Sequence, residues 1–213
     1  MGQVRVDLTI SLDGYGTTTD QTPEDPFGQD WNRLQAAYVA TRTFRERVLG
    51  QTGKGTTGLD NDYAAAYFEG IGAEIMGAGK FGLHAHPGDP DWRGWWGSNP
   101  PFRCPVFVLT HESRPSLEME GGTTFHFVQT SAEETLEHAR EAAGDRDVRI
   151  GGGVRVVRSY LAAGLVDRLH VGIVPILLGR GENLWAELRE LERGYKVTSE
   201  IAESGTIHVT FSR

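Results

Sequence analysis

Three consecutive glycines are the first candidate for chemistry in this sequence. They occupy positions 151–153, directly after a short apolar segment that ends at Ile150. Apolar residues then recur at helical spacing: Val154, Val157, Leu161 and Leu165. Glycine lets another group approach the backbone closely, and a helix N-terminus offers N–H groups and about half a positive charge. We therefore predict an anion site for a cofactor pyrophosphate; the alternative is a plain strand-to-helix turn.

Acidic residues form the second candidate group, and they suit proton transfer. Asp60 and Asp62 precede a helical pattern that includes Tyr63 and Tyr67. On a helix, carboxylates two residues apart point in different directions, so one of them is expected to face a pocket. We predict that Asp62 does so, in buried surroundings that raise its pKa and make it a proton donor, while Asp60 caps the helix. Asp13, in the turn after the first strand, is the alternative donor.

A histidine- and tryptophan-rich insertion in the middle of the chain is the third candidate. His84, His86 and Asp89 have side chains that ligate metals, but no further ligand follows at a recognised spacing. The sequence therefore predicts no metal site. Trp95 and Trp96 are expected instead to line an apolar pocket or a partner surface, because tryptophan combines a large apolar area with one polar N–H.

The elements that position these residues follow from hydrophobic periodicity. The patterns predict a strand over residues 4–10, a loop over 15–29, a helix capped by Asp30 over 30–49, a buried strand over 169–178, and an antiparallel hairpin from 195–202 and 206–211. The alternation of strands and helices predicts an α/β domain with helices on both faces of a mostly parallel sheet. A Rossmann fold is not expected, because Val156 occupies the third glycine position of that dinucleotide-binding fingerprint.

Composition excludes several classes of partner. The chain has 213 residues and a net charge of −8, whereas nucleic acids and anionic membranes bind basic surfaces. No apolar run approaches the ~20 residues of a membrane helix. Cys104 is the one cysteine, so an intrachain disulfide is impossible and a cytoplasmic location is expected.

Three stretches together carry a family resemblance. They are residues 9–14 (TISLDG), residues 75–77 (IMG) and residues 150–181, which contain IGGG and PILLGRG. In this order they resemble the dihydrofolate reductase-like proteins, and most closely the RibD C-terminal domain, the reductase domain of bacterial riboflavin biosynthesis. The resemblance covers nearly the whole chain. It implies a single domain, residues 1–213, with the three-layer dihydrofolate reductase-like fold.

The resemblance also implies which residues form the site. The cofactor-binding set comprises Gly77, Ala78, Lys80, Phe81, Thr110, Ser113, Arg114, Gly151, Gly152, Gly153, Val154 and Arg155. The substrate-binding set comprises Leu12, Asp13, Phe68, Trp95 and Trp96. Ala78 departs from the family pattern, which has an arginine there to contact phosphate. Lys80 is expected to supply a point charge nearby, since lysine binds phosphate without the bidentate geometry of arginine.

The implied function is an NADPH-dependent reductase that transfers hydride to a small heterocyclic or carbonyl acceptor, of the pteridine or aminopyrimidine type. Such an enzyme would be similar to 5-amino-6-(5-phosphoribosylamino)uracil reductase or to dihydrofolate reductase. Ser113, Arg114 and Lys80 are expected to favour NADPH over NADH. The alternative is a cofactor- or ligand-binding protein of this fold without reductase activity, which Ala78 favours. A homodimer is expected, because two-fold dimers are the commonest oligomers.

Overall fold

The structure, a computed structural model, describes residues 2–16, 22 and 24–213. The strands in these residues are β1 (Val4–Ser11), β2 (Ile71–Gly77), β3 (Pro105–Leu109), β4 (Leu117–Glu118), β5 (Thr124–Val128), β6 (Asp147–Gly152), β7 (Arg168–Val174), β8 (Lys196–Ile201) and β9 (Ile207–Ser212). The helices are α1 (Trp31–Ala40), α2 (Arg42–Arg47), α3 (Leu59–Phe68), α4 (Ala78–Phe81), α5 (Ala132–Ala143) and α6 (Val154–Ala162).

All of these strands join one sheet in the order β4-β5-β3-β2-β6-β1-β7-β9-β8. The pairings from β5 through β3, β2, β6 and β1 to β7 are parallel, whereas β9 and β8 add antiparallel strands at one edge and β4 at the other. The mostly parallel sheet and the C-terminal hairpin predicted from the sequence are both confirmed. The carboxyl ends of β2, β3, β5 and β6 consequently meet at one edge, where α6 begins.

The helix face predicted after the glycines is also confirmed. Val154, Val157 and Leu161 of α6 are buried and pack in the main core with central strand residues such as Val6 and Ile150. This packing fixes α6 against the sheet, because burying each large aliphatic side chain contributes about 1.5–3 kcal/mol. The N-terminus of α6 is held in place by that core.

Two predicted boundaries were wrong, for local reasons. The helix predicted over residues 30–49 is two helices, because Thr41 adopts an extended conformation and its hydroxyl accepts from the Phe44 N–H as the cap of α2. Asp30 makes no capping bond and instead binds Arg33 and Arg180. The buried strand ends at Val174, directly before Pro175, since proline has no N–H to donate to a ladder.

The loop predicted over residues 15–29 lies partly outside the described residues, which omit 17–21 and 23. Among the described residues, none of the helices has the length and apolar character that a membrane crossing requires.

Candidate active site

A cavity of about 1060 Å³ opens on the sheet. It follows the carboxyl ends of β5, β3, β2 and β6 and continues over one face of β1, β7 and β9. From β3 to β9 the sheet crosses five strand spacings, which is about 24 Å at ~4.8 Å each. The cavity is therefore long enough for an extended cofactor with a second small molecule beside it.

The glycine turn, residues 151–153, borders this cavity together with the first residues of α6. The first backbone bond of α6 runs from the Val157 N–H to the Gly153 carbonyl, so the amides before it lack an intrahelical partner. An added Cβ at Gly151 would lie 2.1 Å from Glu74 Oε1, whereas one at Gly153 would meet no atom within 4 Å. Position 151 is thus closed by packing, and position 153 faces open space before the helix N-terminus.

Three charged side chains, the ion cluster, support this turn: Glu74, Lys80 and Arg149. Arg149 Nε donates to Glu74 Oε2 at 3.0 Å, and Lys80 Nζ donates to Glu74 Oε1 at 3.2 Å and to the Gly151 carbonyl at 2.6 Å. Although burial alone would lower it, the pKa of Lys80 is raised, through Tyr67 and Glu74. Lys80 is therefore a paired cation that fixes the turn, in place of the free point charge that the sequence predicts.

At the end of β3, only one of the three residues expected to bind the cofactor lines the cavity. Thr110 lines the cavity, but Ser113 and Arg114 do not. The Arg114 guanidinium donates to three backbone carbonyls of the insertion, those of Asp89, Pro90 and Trp92, at 3.0, 3.3 and 3.1 Å. Its hydrogen bonds hold the insertion in place, so the expected contact between Arg114 and a phosphate has no support in this geometry.

Of the other residues expected to bind the cofactor, some line the cavity and one does not. Gly77 and Ala78 line the cavity, and Ala78 offers no group that could reach a phosphate. Phe81 is fully buried in a second core cluster and does not face the cavity. Arg155 lines the cavity but donates to Glu182 at 2.5 Å, and this hydrogen bond lowers the pKa of Glu182. In its observed position Arg155 is therefore a paired cation.

Four polar side chains form a continuous chain over β1, β7 and β9, and we call them the acid–imidazole chain: Asp7, His170, His208 and Asp60. Asp7 and His170 are cross-strand partners, with Oδ1 and Nδ1 3.3 Å apart. His170 Nε2 lies 3.0 Å from His208 Nδ1, and His208 Nε2 lies 3.0 Å from Asp60 Oδ1. Tyr63 stacks on both imidazoles, with ring centroids 4.1 and 4.2 Å away. All five residues line the cavity.

The surroundings of this chain set its charges. Burial alone would raise the pKa of Asp7, but the close contact and charge of His170, together with the charges of Arg5 and Arg168, lower it. Burial also lowers the pKa of His208, against the opposing effect of Asp60. Asp7 is therefore ionised at neutral pH, and His208 accepts an additional proton less readily than a free imidazole does.

Asp60 and Asp62 at the start of α3 face the reverse of the predicted directions. Gly58, with a φ of 102°, precedes α3, and Asp60 makes no cap. Asp60 lines the cavity with 15% of its side chain exposed, whereas Asp62 is exposed and does not line it. The expectation that Asp62 has buried surroundings is wrong, because residues two apart on a helix face different directions and α3 turns Asp60 toward the sheet.

Asp13 and Leu12 lie in the turn after β1, outside the cavity lining. Asp13 accepts from Ser11 Oγ at 2.5 Å and from the N–H groups of Leu178 and Gly179 at 3.1 and 2.8 Å. The Ser11 hydrogen bond is the largest cause of its lowered pKa. Asp13 thus stays ionised and ties two turns together, while Leu12 is 57% exposed.

The remaining expected substrate residues face the cavity. Phe68, Trp95 and Trp96 all line it, and Trp95 packs edge-on against Trp92 with centroids 4.5 Å apart. His86 stacks on Trp92 at 3.6 Å. Within the described part of the chain, no group of three or more metal-ligating side chains lies close enough to hold a metal ion.

Sequence reasoning missed three members of the acid–imidazole chain. Asp7, His170 and His208 are single polar residues in otherwise strand-like patterns, and 38 residues separate the two histidines. One signal was present, because a strand position that faces the core is rarely polar unless it is paired. It could have marked His170, which follows Leu169 at the start of a long apolar run.

Comparison with known protein families gives one match. The family model described as RibD C-terminal domain matches residues 3–205. No curated protein matches the chain.

Solved structures give the fold. A candidate riboflavin biosynthesis protein from Shewanella sp. PV-4 is 21% identical, with a TM-score of 0.61 over 99% of this chain and 98% of that one. Dihydrofolate reductase from Enterococcus faecalis, complexed with NADP(H) and RAB-propyl, is 15% identical, with a TM-score of 0.51 over 100% and 96%. RibD from Acinetobacter baumannii is also 15% identical, with a TM-score of 0.51 over all of this chain and 58% of RibD. The dihydrofolate reductase-like fold is thereby confirmed.

Proposed function

The chain belongs to the RibD C-terminal domain family, and we propose that it is an NADPH-dependent reductase that transfers hydride to a small heterocyclic or carbonyl acceptor. One observation carries the proposal. A single cavity joins the glycine turn, which suits a pyrophosphate, to the acid–imidazole chain, which suits proton transfer. An acceptor of the pteridine or aminopyrimidine type fits this arrangement, because reduction of its C=N bond requires both a hydride and a proton.

The cradle at the glycine turn supports a dinucleotide. Space is open where a Cβ at Gly153 would lie, and the adjacent helix amides have no intrahelical partner. The pyrophosphate would be held there by backbone N–H groups, and the adenosine end would extend toward Thr110 at the end of β3. Since Ala78, Lys80 and Arg114 offer no free cation, recognition of the phosphates relies on backbone amides and the helix dipole.

When bound, NADPH supplies the hydride; the protein's own residues bind, orient and protonate. Phe68, Trp95 and Trp96 provide the apolar walls that would hold a planar acceptor and exclude water. Asp60 is the most exposed member of the acid–imidazole chain and lines the cavity, so it is placed to give a proton to the acceptor's heteroatom. The second candidate function, cofactor or ligand binding without reduction, is favoured by Ala78 alone.

Cofactor oxidation tests the proposed function. The purified protein would be mixed with NADPH or with NADH and a panel of pteridines, pyrimidines and quinones, and oxidation would be followed by absorbance. We expect hydride transfer from NADPH to at least one pteridine or pyrimidine. NADPH binding without oxidation by any panel member would support the second candidate function instead.

The helix acids give a matched pair of variants. Asp60→Asn should lower the single-turnover rate of hydride transfer by about 10²-fold or more, the usual contribution of a general acid. Asp62→Asn should leave it within about twofold, because Asp62 is exposed outside the cavity. Both variants should bind NADPH as the parent does. If Asp62→Asn loses rate and Asp60→Asn does not, the proton donor is Asp62.

We propose a homodimer that forms through β8. This strand is an edge of the sheet, all six of its residues are exposed, and Ile201 is 72% exposed. Free edges of this kind pair readily with another chain. Light scattering should give twice the 23.4 kDa chain mass, and Ile201→Lys should return it to one chain. The parent protein at monomer mass over a wide concentration range would contradict this assembly. The cytoplasmic location stays a prediction from the single cysteine.

A further inference from the structure

Asp60 is the most exposed member of the acid–imidazole chain. The exposed fraction of the side chain is 15% for Asp60, 6% for His208, 8% for His170 and 5% for Asp7. Asp60 is therefore the member most open to a ligand, although all four line the cavity. In the described residues, neither Asp7 Oδ1 nor His170 Nδ1 makes a hydrogen bond of regular geometry, although they lie 3.3 Å apart.

Counting hydrogens shows that this chain is one proton short when both imidazoles are neutral. The two contacts at 3.0 Å each take one hydrogen, and the third, at 3.3 Å between His170 Nδ1 and Asp7 Oδ1, becomes an ion pair only if Nδ1 also carries one. A neutral imidazole has one N–H and one acceptor nitrogen, so two of them supply two hydrogens. If His208 donates to Asp60 and His170 donates to His208, then His170 Nδ1 presents a lone pair to the Asp7 carboxylate. One additional proton on His170 completes all three contacts.

The charges around the chain allow that additional proton. Arg5 Nη2 and Arg168 Nη1 lie 3.4 and 3.5 Å from the Asp7 carboxylate. Glu200 accepts from the Tyr63 hydroxyl at 2.9 Å. Arg5 also contacts the Asp147 carboxylate at 3.3 Å. The guanidiniums of Arg5 and Arg168 oppose the carboxylates of Asp7, Asp60, Asp147 and Glu200, and this negative excess favours an imidazolium. Arg149, whose charge also acts on Asp7, is paired with Glu74.

We propose that the acid–imidazole chain is a proton store: it holds one proton beyond those of two neutral imidazoles and delivers it through Asp60 to the acceptor. The Asp7 carboxylate, 3.3 Å from His170 Nδ1, places the stored charge on His170. This inference rests on the proposed reductase function. It explains how a cavity filled by cofactor and acceptor, with water excluded, can still supply a proton.

The transfer balances. Hydride adds to the carbon of the acceptor's C=N bond, and the electron pair of that bond moves to nitrogen. The Asp60 carboxylate takes the proton of His208 Nε2 and, as the carboxylic acid so formed, gives it to that nitrogen, while His208 Nδ1 takes a proton from His170 Nε2. His170 keeps its Nδ1 hydrogen toward Asp7 and becomes neutral. A solvent proton restores the chain through Asp60 after the product leaves.

The stored proton can be measured without cofactor or acceptor. Nitrogen-15 spectra of histidine-labelled protein would be recorded over roughly pH 5–9, around the ordinary imidazole pKa of ~6.5. We expect His170 and His208 to take up one proton together in a single coupled step, with His170 as the doubly protonated ring. If the two rings titrate independently, or if both stay neutral at every pH, the chain does not store a proton as proposed.

Delivery is measured by the pH dependence of single-turnover hydride transfer, with NADPH and a pteridine or pyrimidine of the panel. Because the store is loaded only below its midpoint, the parent rate should fall as pH rises through the midpoint found by NMR. His170→Gln should lose that step and keep its NADPH affinity. His138→Gln, an exposed histidine of α5 away from the cavity, should keep both.

The NMR titration and the pH dependence of hydride transfer distinguish a failure of the proton store from a failure of the proposed reductase function. If the hydride-transfer rate of the parent does not change around the NMR midpoint, or if the same pH dependence persists in His170→Gln, the proposed proton delivery is wrong. The proposed reductase function would be unaffected by that result. Failure of every panel member to accept hydride would overturn the proposed function and the delivery step with it. The NMR result would then still decide whether the chain stores a proton.

Discussion

Glu74→Gln should lower the free energy of unfolding by about 3–5 kcal/mol, the usual cost of removing one partner of a buried ion pair. Glu74 is fully buried and Arg149 is 1% exposed, so the substitution leaves a buried guanidinium without its counter-charge. Lys80 also loses its carboxylate partner and is left with the Gly151 carbonyl. The glycine turn should therefore loosen at the same time, and NADPH affinity should fall with stability.

Chemical denaturation at pH 7 measures this effect. Glu118→Gln is the matched control, because Glu118 is an exposed residue of the short edge strand β4. It should change the free energy of unfolding by less than about 0.5 kcal/mol, as most surface substitutions do. A loss below about 1 kcal/mol in Glu74→Gln would show that the ion cluster is not what holds the turn.

Local patterns in the sequence predicted the parts of the fold that depend on neighbouring residues. The glycine turn, the apolar face of α6 and the C-terminal hairpin all follow from spacing within about ten residues. These features could be predicted because the physics that sets them is local.

The site depends on contacts that no local pattern contains. Asp7, His170 and His208 meet because β1, β7 and β9 are neighbours, a pairing between residues that are far apart in the chain. The choice between Asp60 and Asp62 depends on the rotation of α3 about its axis, which the sheet beneath it decides. A sequence pattern predicts that a helix forms, but not which of its polar residues faces a cavity.

The two cations predicted to bind phosphate have protein partners, for a related reason. Arg114 and Lys80 have the chemistry to bind phosphate, and each was predicted to do so. In the structure Arg114 binds backbone carbonyls of the insertion and Lys80 binds Glu74. Long flexible side chains take the nearest strong acceptor, and which acceptor is nearest depends on the tertiary structure.

Gly153→Val should weaken NADPH binding by about 100-fold or more, which corresponds to roughly 2.7 kcal/mol. A Cβ at this position meets no protein atom within 4 Å, so the valine side chain would fill the space that the pyrophosphate needs. The φ of −66° at Gly153 is open to any residue, so the variant should fold. Gly152 is a poorer choice, because its φ of +112° would strain a valine.

Calorimetric titration of NADPH into three folded proteins tests the central claim most directly: the parent, Gly153→Val and Ala162→Val, an exposed substitution at the far end of the same helix. Thermal unfolding of each protein would establish that all three are folded. We predict equal NADPH affinity for the parent and Ala162→Val, and binding at least about 100-fold weaker for Gly153→Val. A folded Gly153→Val protein that binds NADPH as tightly as the parent would contradict the placement of the cofactor at the glycine turn.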